Sequence, residues 1–95
     1  MSGLWLDRSN IPTFADVNPD KPQALKPLEE AAEVYGAWQL WWMEPCEEHQ
    51  QLVVNEVCDM FQAGANLLAA MGVESIESDM ARMRKRNEAR GREYA

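Results

Sequence analysis

The chain has little cysteine, little histidine and, over most of its length, little positive charge. Its two cysteines, Cys46 and Cys58, are too few for a disulfide-stapled scaffold, and Cys58 inside VCDMF reads as a small core residue. The stretch MSGLWLDRSN lacks the basic n-region and apolar core of a secretion signal. No apolar run approaches the length that spans a bilayer. A cytoplasmic protein with reduced thiols and no membrane partner is therefore expected. The single histidine, His49, follows Cys46 by three residues, but with no orienting third group a nucleophile pair is disfavoured. No repeat or low-complexity segment is present.

Positive charge is confined to one end. Residues 1–78 carry thirteen acids and only Arg8, Lys21 and Lys26 as bases, whereas residues 79–95 carry six bases and three acids. A long nucleic acid would be repelled by most of such a surface. A small polyanion, held between a cation bound by the acids and the basic side chains, suits it better.

Ninety-five residues, 46% apolar and 26% charged, make one small globular domain. A core this small is commonly completed by oligomerisation, so a homo-oligomer, dimer or tetramer, is expected. Pro12, Pro19 and Pro22 mark residues 1–24 as an irregular arm, anchored to the body by Trp5 and Phe14, with a helical turn near GLWLD. The domain proper then spans 25–95. Leu28, Ala31, Ala32, Tyr35, Trp38 and Trp42 recur at threes and fours, predicting an amphipathic helix to about Met43 with Pro27 in its first turn. Pro45 breaks that pattern. Residues 47–71 form a second helix with Leu52, Val53, Val57, Met60, Phe61, Leu67 and Leu68 as its stripe, ended by Gly72. Ser75 caps a third, whose Glu77 and Asp79 at the start and Arg84, Lys85, Arg86 and Arg90 toward the end match the helix dipole. The fold class is all-α: a small bundle of about three main helices with short, antiparallel connections.

Two sets of acids stand out. Glu29 and Glu30 fall in the first turn after Pro27, where the dipole would favour them. Glu33 lies beyond it. Glu56 and Asp59 sit mid-helix among Val53, Val57, Met60 and Phe61, where an unpaired buried charge is costly. Members of each pair, Glu30 with Glu33 and Glu56 with Asp59, lie about 60° apart on their helix. Two antiparallel helices presenting such pairs to each other would build an oxygen cage suited to Mg2+ or Mn2+. A solvated acidic face is the plainer alternative.

EEAAE (29–33), followed after 22 residues by EVCD (56–59), resembles the EExxE…ExxD signature of the MazG-like all-α nucleoside triphosphate pyrophosphohydrolases, the group that includes the dimeric dUTPases. The C-terminal RMRKRNEARGREY (82–94) is similar to the basic, Asn-containing last helix of small phage and bacterial members. The resemblance covers about residues 25–94. It departs at the N-terminus, where the family's first helix is replaced by the Pro-interrupted arm. It implies a Mg2+-dependent hydrolase of nucleotide metabolism that converts a nucleoside triphosphate and water into the monophosphate and pyrophosphate. By motif position Glu30, Glu33, Glu56 and Asp59 would be the metal ligands and catalytic carboxylates, with Glu29 a weaker candidate. Lys85, Asn87 and Arg90 would contact phosphates. Trp41 is a candidate base-stacking residue, although interior or subunit packing is the favoured reading for Trp38, Trp41 and Trp42. Two readings compete: a noncatalytic acidic helical adaptor or regulator, and a family member that binds nucleotides without hydrolysing them.

Overall fold

The computed structural model describes residues 11–94. The expectations for Trp5 and for a turn near GLWLD lie outside the described residues. Three helices follow one another: α1 (Lys21–Met43), α2 (Glu47–Ala70) and α3 (Glu77–Ala89). Among the described residues there are no strands, as an all-α chain requires.

Helix α1 begins earlier than the proline pattern suggests, so a boundary after residue 24 falls inside it. Asp20 is extended, and its carboxylate accepts the Gln23 N–H at 3.1 Å, satisfying one of the free donors of the first turn. The first-turn proline is Pro22, while Pro27 is inside the helix, where it withholds one backbone donor. Glu29 and Glu30 consequently sit in the third turn, beyond the reach of the N-terminal dipole. Their presence needs another reason.

Residues 44–46 turn the chain back, with the His49 ring donating from Nδ1 to the Glu44 carbonyl at 2.8 Å. This short connection forces α2 to run antiparallel along α1. The face by which α1 meets α2 is not the aromatic stripe. Its least exposed positions are Gln23, Pro27, Glu30, Val34, Ala37 and Trp41, at alternating fours and threes. Leu28, Tyr35 and Trp42 are instead 67%, 59% and 66% exposed. On α2 the facing series is His49, Val53, Glu56, Met60 and Ala63, and Leu52 points away. The small Ala37 and Ala63 are the buried apolar residues of the pair, so the helices approach closely there. Each seam therefore carries a glutamate at a position that a simple hairpin would fill with an aliphatic.

The second half of α2 is also covered by the arm. Asn66, the one buried polar residue among those described, accepts from the Phe14 N–H at 3.1 Å and from the Gln62 amide at 3.0 Å through the same Oδ1. Gln62 donates as well to the Pro12 carbonyl at 2.7 Å. Phe14 anchors the arm through its backbone, while its ring is 61% exposed.

Helix α2 stops at Gly72, whose φ of +83° is left-handed and open to glycine without strain. The Val73 N–H returns to the Leu68 carbonyl at 3.0 Å, the closure expected of such a stop. Ser75 Oγ then accepts the Glu77 N–H at 3.3 Å, one position before the capping residue Ile76. Arg90 caps the other end. Helix α3 packs against neither α1 nor α2. The chain is accordingly extended, with a radius of gyration of 15.4 Å, where a compact domain of this length has about 12.4 Å. No helix of the described residues is long and apolar enough to cross a membrane.

Candidate metal centre

Glu30 and Glu33 stand one turn apart on α1, and Glu56 comes from the facing turns of α2. Their carboxylates converge, each offering an oxygen within 4.8 Å of the other two. Glu30 and Glu56 are partly buried and Glu33 is exposed. Among the described residues, Oε2 of Glu30 and Oε2 of Glu56 are buried without any hydrogen-bond partner. Acceptors left in this state are uncommon and call for a missing proton, water or cation.

The electrostatics agree. Burial raises the Glu30 pKa above its ordinary value, the Glu33 carboxylate and the charge of Asp59 raise it further, and Lys26 offsets a part. Glu56 is raised first by the proton it would share with Glu33, then by burial and by the charges of Glu33, Asp59 and Glu30. Neither oxygen has a hydrogen-bond partner while both groups are ionised; protonation would create a bond to Glu33. A cation at the same point would serve both glutamates in place of the proton.

Asp59 lies outside the convergent triad yet near enough for its charge to act on both glutamates. It lines, with Glu30, Lys26, Gln62 and Asn66, a cavity of about 460 Å³ that Phe14 of the arm also lines. Glu29 turns away, pairing with Lys26 at 3.3 Å with both side chains more than half exposed. Such a pair contributes little.

The remaining candidates are elsewhere. Trp41 shares a second cavity, of about 240 Å³, with Trp38, Gln50, Val53 and Val54 near the closed end of the hairpin. That cavity has no residue in common with the one beside the carboxylates. Lys85, Asn87 and Arg90 belong to α3 and its cap, and this chain's own fold does not pack them on the acidic hairpin. Asn87 donates to the Tyr94 hydroxyl at 3.0 Å, and the Arg84 guanidinium lies 5.0 Å over the Tyr94 ring. The local order of α3 is thus internal to the C-terminal segment.

Sequence reasoning missed Lys26, Gln62 and Asn66. Two amides four residues apart inside FQAGANLL were a usable signal, because a polar pair in an apolar helix must meet a partner. Compared with models of known protein families, with curated proteins and with solved structures, the chain has no match.

Proposed function

We propose that the protein is a Mg2+-dependent nucleoside triphosphate pyrophosphohydrolase whose ion is held by Glu30, Glu33 and Glu56 with Asp59 beside them. The observation that carries this reading is the convergence of the Glu30, Glu33 and Glu56 carboxylates, two of which, Glu30 and Glu56, also have a buried oxygen without a hydrogen-bond partner. An all-oxygen, all-carboxylate set is the donor chemistry of hard divalent cations, with Mn2+ the alternative occupant. The MazG-like signature on the same residues supplies the reaction class.

When bound, the ion supplies charge neutralisation on the polyphosphate and lowers the pKa of a water molecule at the α-phosphorus. The chain's own residues set the rest. Glu30 and Glu56 are fixed by their places in the α1–α2 seam, so the carboxylates are held by packing before a ligand arrives. Exposed Glu33 leaves the site open to solvent and to substrate. Asp59 lines the adjacent cavity, as does Lys26, a cation able to meet a phosphate oxygen. Lys85, Asn87 and Arg90 take part only when α3 is brought against the hairpin. The detached α3 and the exposed acidic flank also favour a second reading, the noncatalytic adaptor, in which the acids form a surface.

Incubation with a panel of ribo- and deoxynucleoside triphosphates plus Mg2+, with products resolved by anion exchange, separates the readings. Monophosphate and pyrophosphate are the expected products. A diphosphate with orthophosphate would indicate a different hydrolase. Saturable binding without turnover would indicate a nucleotide-binding relative, and neither binding nor turnover would leave the adaptor.

A further inference from the structure

The cavity of about 460 Å³ beside the carboxylates has two chemically different ends. Because α1 and α2 run antiparallel, Glu30 and Asp59 mark one end, and Gln23 and Asn66, each seven residues away along its helix, mark the other. Seven residues of helix span roughly 10 Å, room for a sugar and a base. The first end is charged. Glu30 also belongs to the convergent triad, so the cavity adjoins the metal centre, and Lys26 lines it nearby. The second end is neutral, lined by the carboxamides of Gln23, Gln62 and Asn66. Gln62 Nε2 and Asn66 Oδ1 bond to each other and to the backbone of the arm. The acceptor Gln62 Oε1 and the donor Asn66 Nδ2 take no part in that bonding. Phe14, 61% exposed, and Asp16 bring the arm to the same cavity.

We propose that this cavity seats the base of a nucleotide whose phosphates point to the carboxylate end, with Gln62 and Asn66 reading the edge of the base and Phe14 stacking on its face. The two ends match a ligand that is charged at one end and neutral, flat and rich in donors and acceptors at the other. A carboxamide presents a donor and an acceptor together, which is how it pairs with the edge of a base. An aromatic ring stacks on any base. The volume is that of a pocket for a molecule of this size. Trp41 lines the other cavity, toward the closed end of the hairpin, and none of the described residues lining it belongs to the triad or carries a charge. A base seated there would share no residue with those that hold the ion. Asp16 adds an acceptor suited to a base amino group or a sugar hydroxyl. The inference rests on the hydrolase reading only for the role of the bound nucleotide as substrate; the seat itself is made by the arm and the hairpin.

Nitrogen-15 NMR of the metal-free protein, titrated with deoxynucleosides at millimolar concentrations, tests the seat without calling on hydrolysis. Deoxynucleosides carry no phosphate for the acids to repel. At least one of them should shift the Gln62 and Asn66 side-chain amides saturably and leave the Trp41 indole N–H in place. Deoxyribose, which has no base, should shift neither amide. Phe14→Ala should weaken the binding roughly tenfold; the arm is held through the Phe14 N–H and the Pro12 carbonyl, so this variant keeps both anchors. Tyr35→Ser, whose native ring stacks on Trp38 instead, should bind as the wild type does. The seat is overturned by two amides that no deoxynucleoside shifts, by equal shifts with deoxyribose, by shifts centred on Trp41, or by unchanged binding to Phe14→Ala. Pyrophosphate release is measured on the same protein. Turnover with the amides unmoved defeats the seat alone, whereas shifted amides without turnover uphold the seat and defeat only the hydrolase reading.

Discussion

Replacing Asn66 by alanine should detach the arm from α2. Asn66 is only 4% exposed and its Oδ1 receives two donors, the Phe14 N–H and the Gln62 amide. Gln62 keeps a second acceptor in the Pro12 carbonyl, so the lasting loss is the partly buried Phe14 N–H, left without a partner. Orphaning one such donor costs about 1–3 kcal/mol. Taking about 2 kcal/mol, the melting temperature of a domain this size should fall by roughly 8–16 °C. Thermal unfolding followed by circular dichroism measures the change, and limited proteolysis should show cleavage near Phe14 that the wild type resists. Gln51→Ala is the matched control: it removes a hydrogen bond of 2.9 Å to Asn55 on the exposed side of the same helix, and should change stability by less than about 0.5 kcal/mol. An Asn66→Ala protein that melts within about 2 °C of the wild type would refute the pinning of the arm.

Other outcomes follow from the same geometry. Glu30 and Glu56 hold protons in the folded chain at pH values where the unfolded chain has lost them, from the ordinary 4.5 up to their raised values. Their contribution to stability should therefore fall as pH rises through that window and stay lost above it; a metal-free melting temperature in which Glu56→Gln leaves the slope over this range unchanged would contradict the assignment. Pro27→Ala restores a backbone donor inside α1 and should raise stability by about 1–2 kcal/mol after the entropy of the unfolded chain is counted, checked by chemical denaturation, where a loss would mean that the proline ring is needed against α2. Asp59→Asn should keep the helical spectrum and lower pyrophosphate release by roughly 100-fold or more; wild-type rates would reduce the carboxylates to surface charge. Lys26→Ala should act chiefly on KM, and an effect confined to kcat would place it elsewhere in the reaction.

The helices were legible because their stops are local: Pro45 and Gly72 act within a turn. The start of α1 was signalled too, by the Asp20–Gln23 spacing of a cap, but Pro27 competed as a first-turn proline and stands instead inside the helix. The carboxylates were visible as i,i+3 pairs, and the hairpin brings three of the four named residues together. The inner face of α1 was not legible. Hydrophobic periodicity selects Leu28, Tyr35, Trp38 and Trp42, whereas the seam runs through Gln23, Pro27, Glu30 and Val34. A helix with an acid in its seam and aromatics on its flank cannot be oriented by hydrophobicity alone, since its most apolar residues are not the ones that meet α2. The place of α3 was beyond sequence for a related reason: its pattern fixes its ends and its charge, and no local signal says what it packs against.

The central claim is that Glu30, Glu33 and Glu56 form a divalent-cation site, and titration calorimetry of the metal-free protein with Mn2+ tests it most directly. The wild type should bind saturably, while Glu33→Gln and Glu56→Gln each lose that heat with their folds intact. A wild type that gives no binding heat and no rise in melting temperature with millimolar Mn2+ or Mg2+ would contradict the claim.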